Sequence, residues 1–195
     1  YDLPYIKDEV NKLVELTGGK AWVGEAATET AFRNEAPGYC VLHCAMHAVA
    51  NEIQSDFSKL LFTAGPKDAA PEADGDLHLA ELAFMPLSAE MVVLSACKTA
   101  VGLAGNAEVA NSLANGFHAL GIPSVIASQW PADDQQTLPF MLSFYKHLKA
   151  GLSKDLAIQK AQADCLQRSR ELRELAHPYY WAPFILTGSR RAMKF

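Results

Sequence analysis

The stretch Met91-Val92-Val93-Leu94-Ser95-Ala96-Cys97-Lys98-Thr99 constrains the chain most. Four apolar residues in a row, two of them β-branched, read as a strand buried on both faces. Such a strand needs neighbours on both edges and layers above and below, which is the setting of an open α/β sheet. Ligands and reacting groups gather at the carboxyl ends of strands in such sheets, and Cys97 stands at this one. A buried structural thiol is the plainer reading of a lone cysteine. A second strand, Tyr39 to His47, argues beyond it by bringing a histidine to its own carboxyl end.

The surrounding pattern is α/β at short intervals. Ile6, Val10, Leu13 and Val14 stand at helical spacing before Gly18-Gly19 ends the run. Lys20-Ala21-Trp22-Val23 reads as a short strand. Thr28 is the expected N-cap of a helix with Ala31 and Phe32 inward, stopped by Pro37-Gly38. Ser58 to Ala64 and Asp76 to Leu79 read as hairpin arms around a Pro-, Gly- and acid-rich surface loop. Glu81 to Leu87 reads as a short helix or turn.

After Cys97, Lys98 to Gly105 is expected to be irregular, with Asn106 capping a helix striped by Val109, Leu113, Phe117 and Leu120. Ser124 to Trp130 reads as a second buried strand, and Asp133 and Asp134 follow at its carboxyl end. Phe140, Met141, Phe144, Tyr145 and Leu148 mark a helix ending at Gly151. Ser153 caps another, with Leu156, Ala157, Ala161 and Cys165 inward, running on to a solvated segment from Arg168 to Leu175. Trp181 to Thr187 reads as a last strand, held to an edge by Pro183.

Tyr39 to His47 allows two readings. As a strand it sets Val41, His43 and His47 on one face and Cys40, Leu42 and Cys44 on the other. As a helix it would set Cys40, His43, Cys44 and His47 on one face, a plausible zinc site. The strand is preferred, because Pro37-Gly38 precedes it and the α/β order needs a strand there. Cys40, Cys44 and Cys165 are expected to be buried thiols, His43 a core residue, and His177 the organiser of a turn.

Composition narrows the function. The 195 residues suit one domain, and seventeen basic against twenty-two acidic residues give a net charge of −5. That balance argues against direct nucleic-acid binding. No apolar run approaches the roughly 18 residues of a membrane span. Four cysteines in a chain of this length do not make a disulfide framework, so a cytoplasmic setting is expected. The start at Tyr1, running at once into a helical pattern, suggests part of a longer protein.

Four stretches carry a family resemblance: Leu42-His43-Cys44-Ala45-Met46-His47-Ala48, Val93-Leu94-Ser95-Ala96-Cys97-Lys98-Thr99, Ser128-Gln129-Trp130-Pro131-Ala132-Asp133-Asp134, and His177-Pro178-Tyr179-Tyr180-Trp181-Ala182-Pro183-Phe184. In this order they resemble the CHAT domain, a caspase-like branch of the clan that also holds separase, gingipains and clostripain. The separation 97 − 47 = 50 matches the roughly 50 residues between histidine and cysteine in caspases.

The resemblance implies a caspase-like α/β fold, a mostly parallel six-stranded sheet flanked by helices on both faces. It also implies that the first strand lies ahead of residue 1, making residues 1–195 a CHAT-like cysteine peptidase domain from a larger protein. It carries over Cys97 as nucleophile and His47 as catalytic histidine, with the N–H groups of Ala48 and Cys97 as the oxyanion hole. Ala48 stands where the family usually has glycine.

By resemblance to separase, Asp134, and next to it Asp133, would bind a basic P1 side chain of a protein substrate, and Trp130 would wall the pocket. The other reading of the acidic pair is the cap of the following helix. Helical-repeat or other regulatory regions of the parent protein are the implied partners. No cofactor and no metal is implied. The alternatives to an endopeptidase are a catalytically inactive caspase-like interaction module and the zinc-binding domain.

Overall fold

The computed structural model describes residues 6–49, 57–65, 73–95, 106–130, 132, 134–171 and 177–194, with side chains at 106–112 and 134 left outside the description. Its centre is the predicted strand β5 (Met91–Leu94), in which every residue is buried. Beside it lie β1 (Val41–Cys44), β6 (Ser124–Ser128) and β7 (Phe184–Gly188), in the order β1-β5-β6-β7. β1 and β6 run parallel to β5, and β7 runs antiparallel to β6.

Alternation along the strands feeds two cores. Met91 and Val93 point into one, with Phe140, Met141 and Phe144 of α5 (Asp134–Lys149), Leu13 of α1 (Ile6–Thr17), and Ala157 and Ala161 of α6 (Lys154–Glu171). Val92 and Leu94 point into the other, with Leu113 and Phe117 of α4 (Asn106–Ala119). Each fully buried side chain of this size contributes about 1.5–3 kcal/mol, so the sheet is held from both faces.

The hairpin forms as expected. β3 (Lys59–Leu61) and β4 (Asp76–His78) pair antiparallel, and β2 (Ala48–Val49) adds to the outside of β3. α2 (Glu29–Glu35) joins this sheet to the body, and Thr28 caps it by accepting the Ala31 N–H at 3.1 Å. Glu29, 1% exposed, receives Arg33 and the N–H of Gly75. Arg33 also reaches Glu81 of α3 (Leu79–Leu82).

The four-stranded sheet, mostly parallel and flanked by helices, is that of a caspase-like fold, with four rather than six strands among the described residues. Other expectations are corrected. Lys20 to Val23 forms no strand: a strand needs a neighbour to complete its ladder, and here it has none among the described residues. The Tyr39–His47 strand ends at Cys44. Trp181 belongs to a helical turn, α7 (Pro178–Trp181), and β7 starts only after Pro183. Leu156 is 48% exposed and Ile158 takes the inward place. Cys40 is exposed rather than buried. The expected irregular run from Lys98 to Gly105, and Val109's side chain, lie outside the described residues.

No helix among the described residues is long and apolar enough to cross a membrane.

Candidate active site

The site is built on the carboxyl rim of the sheet. β1 and β5 are adjacent, parallel and in register, with Cys44 opposite Leu94 and the Ser95 N–H bonded to the Cys44 carbonyl at 3.1 Å. His47 follows Cys44 by three residues, as Cys97 follows Leu94 by three. His47 is half-buried. Cys97 lies outside the described residues, as does Asp133, and the side chain of Asp134 is likewise outside. The helix α5 opens at Asp134, six residues past the carboxyl end of β6.

Ala48 occupies β2, in extended backbone, and is 1% exposed. A Cβ is no burden in that conformation. The Leu61 N–H bonds the His47 carbonyl at 3.0 Å, and Ala48 stands opposite Leu60. An antiparallel ladder alternates bonded and non-bonded pairs. His47 is therefore in a bonded pair and Ala48 in a non-bonded one, with its N–H turned away from β3.

Farther along the rim, Trp130 is half-buried and donates its Nε1–H to the Tyr179 carbonyl at 2.9 Å. The two rings stack, with centroids 6.2 Å apart and planes at 17°. Because β7 is antiparallel, its amino end and α7 lie on the same rim as the carboxyl end of β6. His177 caps α7 by accepting the Tyr179 N–H, as its place before Pro178 predicted. Tyr179 was given no role from the sequence; its place in the His177–Phe184 stretch was the available signal. Ser95, the residue after β5, and Ser128, the last residue of β6, are buried with hydroxyls that have no partner among the described residues.

Behind the rim, His43 bridges α1 and α5. Its Nε2 is 2.9 Å from Glu9 Oε1 and its Nδ1 is 3.1 Å from the Tyr145 hydroxyl. Glu9 and Tyr145 are each 3% exposed. Burial, then the nearby Glu9 carboxylate and Cys44, hold the Tyr145 hydroxyl well above the usual phenol range, so it keeps its proton. The sequence reading passed over Glu9, although a carboxylate set between Ile6 and Leu13 on an inward helix stripe was the signal for a buried partner.

The zinc reading fails on geometry. β1 sends His43 toward α1 and α5 and Cys44 toward the other core, so Cys40, His43, Cys44 and His47 do not share a face. Among the described residues no group of three or more His, Cys, Asp or Glu is placed to hold a metal ion.

A cavity of about 610 Å³ runs along the outer edge of β1, with residues of α1 and α2 and His47 among its lining. Its size is that of a ligand-binding cleft.

Compared with known proteins, the chain has no match among curated sequences. Compared with protein families, it matches the CHAT domain over residues 1–189, nearly its whole length. That domain is caspase-like and related to cysteine peptidases. With its parallel sheet and the His47 rim, this chain belongs to the CHAT domain family.

Proposed function

We propose that the chain is a cysteine endopeptidase in which Cys97 attacks the scissile carbonyl and His47 manages the proton. A thiol is the best nucleophile available near neutral pH, since a few per cent is already ionised. His47 would take the thiol proton and return one to the leaving amine. The observation that supports the reading is the registered parallel pair β1 and β5, whose adjacent carboxyl ends precede His47 and Cys97 in sequence by three residues each.

The oxyanion reading is supported by Ala48, whose N–H points away from β3. One such donor is worth about 10²–10³ in rate. Ala48 therefore gives no reason to favour the inactive interaction module.

Specificity for a basic P1 residue rests on Asp134, with Asp133 beside it in sequence. A carboxylate facing Arg or Lys makes a charge-assisted contact. Trp130, steadied by Tyr179, would wall that pocket. Regulation by other regions of a longer polypeptide is part of the same proposal.

Fluorogenic peptides with Arg, Lys or Leu at P1 test it. Cleavage after Arg and Lys, lost in Cys97→Ala and in His47→Ala, is the expected result. Asp134→Asn should raise KM for the basic substrates by about tenfold or more. Cleavage that survives Cys97→Ala would overturn the proposal, and equal cleavage of the Leu substrate would overturn the basic pocket.

A further inference from the structure

Buried serines in this fold are treated in two ways. Ser124 donates its hydroxyl to the Ser189 carbonyl at 2.7 Å, and Ser169 donates to the Cys165 carbonyl at 2.9 Å. Ser95 and Ser128 are buried as deeply, at 2% and 1% exposed, and their hydroxyls meet no partner among the described residues. An unmet buried hydroxyl is destabilising, and native folds leave few of them.

The two unmet hydroxyls lie at one corner. Leu94 pairs with Ala127 in the parallel ladder of β5 and β6. The Ser95 N–H carries the ladder one step further by bonding the Cys44 carbonyl. Ser95 and Ser128 therefore stand side by side on neighbouring strands, about 5 Å apart. Alternation turns both side chains to the face of Val93 and Ile126, which α5 covers. Ser95 stands two residues before Cys97, and Ser128 two residues before Trp130. α5 begins at Asp134 on the same side of the sheet.

A pair of hydroxyls in an apolar setting can take a group rich in donors or one rich in acceptors. Asp133 and Asp134, next along the chain from β6, favour the donor-rich, cationic group. Arg suits the pair better than Lys. Its planar guanidinium carries five N–H donors in a fixed fork, whereas the ammonium carries three on a single atom. A carboxylate takes two of the five side-on, and two adjacent hydroxyls can accept two more.

We propose that Ser95 and Ser128 form the floor of the specificity pocket and select Arg over Lys at P1 by accepting N–H bonds from the guanidinium. The inference rests on the peptidase reading with its basic P1 pocket, and deepens it. The hydroxyls are unmet in the free chain because the substrate completes them. At this corner the fold forgoes stability for recognition, which it does not do at Ser124 or Ser169.

Peptide binding to the Cys97→Ala chain, followed by titration calorimetry, tests the floor without catalysis. The probes are peptides ending in Arg, Lys or citrulline at P1, citrulline being the neutral isostere of Arg. The Arg peptide should bind about tenfold tighter than the Lys peptide, with citrulline weaker than Arg. Adding Ser95→Ala or Ser128→Ala should weaken the Arg peptide by about tenfold and the Lys peptide by less than about twofold. The melting temperature of each variant without peptide should equal or exceed that of its parent, since an unmet hydroxyl has been removed. Ser124→Ala, which breaks the bond to Ser189, should lower it.

An Arg preference that survives both substitutions, or the absence of any Arg preference, would overturn the proposal. A gain in melting temperature with no change in affinity would assign the corner to a buried water only, and would overturn it too. Arg binding that depends on both serines, in a chain whose Cys97 form cuts no peptide, would instead fail the peptidase reading and leave the floor standing.

Discussion

β6 and β1 lie on either side of β5 and are finished differently. β6 is bonded on both edges, to β5 and β7, and all five of its residues are buried. Among the described residues β1 is bonded on one edge, alternates between buried and half-buried residues, and borders a cavity of about 610 Å³ on the other. The difference separates two tasks. The β6 side, closed by α4, α5 and α6, holds the fold. The β1 side carries His47 and, among the described residues, leaves a cavity at its outer edge.

Substitutions in the two regions should therefore differ in cost. The largest effect is expected from Phe144→Ala, at a fully buried position on α5, costing about 3–5 kcal/mol in urea denaturation. Val10→Ala, at a half-buried position lining the cavity, should cost about 1 kcal/mol or less, since part of its surface is already exposed. Equal costs would break the comparison.

Next comes Gly188→Ala, where φ is +82° and a Cβ would collide with the Pro123 carbonyl oxygen. A loss of about 3 kcal/mol is expected. Gly24→Ala has φ +58° and open space, so it bears only the conformational cost of about 1 kcal/mol.

Glu9→Ala should cost about 2 kcal/mol by leaving a His43 nitrogen buried without its partner, and Glu9→Gln should cost less because the amide oxygen still accepts. A Glu9→Ala chain as stable as the parent would mean that α1 is not anchored through His43.

A pH-dependent effect concerns Cys165 of α6. Burial pushes its thiol from 9.0 up to about 11. The folded state then holds a proton that the unfolded state releases, so stability falls as pH rises from 9.0 toward 11. The loss is at most about 3 kcal/mol, from about two pH units at about 1.4 kcal/mol each, and Cys165→Ala should flatten it. In the same range the exposed Cys40 alkylates while Cys165 resists.

Where the fold was legible, one physical signal decided the outcome without help. Met91–Leu94 and Val125–Ala127 are apolar throughout because both faces are buried. Phe140, Met141, Phe144, Tyr145 and Leu148 repeat at helical spacing because one face of α5 meets the sheet. The misses depended on tertiary partners. Lys20–Val23 has strand residues but no β-partner among the described residues. Leu156 and Ile158 are both apolar near the start of α6, and only docking decides which turns inward. Pro183 marked the edge strand correctly, yet Trp181 before it went into a helical turn.

In the site, Ala48 illustrates the same limit: its identity gave no sign that the β2–β3 ladder would turn its N–H outward. Trp130 was legible as a rim residue, whereas its stacking on Tyr179 joins segments 49 residues apart in the chain.

The central claim, that Cys97 is a nucleophile working with His47, is tested most directly by intact-mass labelling with a peptidyl acyloxymethyl ketone bearing Arg at P1. The account predicts one adduct per chain, absent in Cys97→Ala, strongly slowed in His47→Ala and weakened in Asp134→Ala. An adduct of the same mass and rate in Cys97→Ala would place the reactive thiol elsewhere and contradict it.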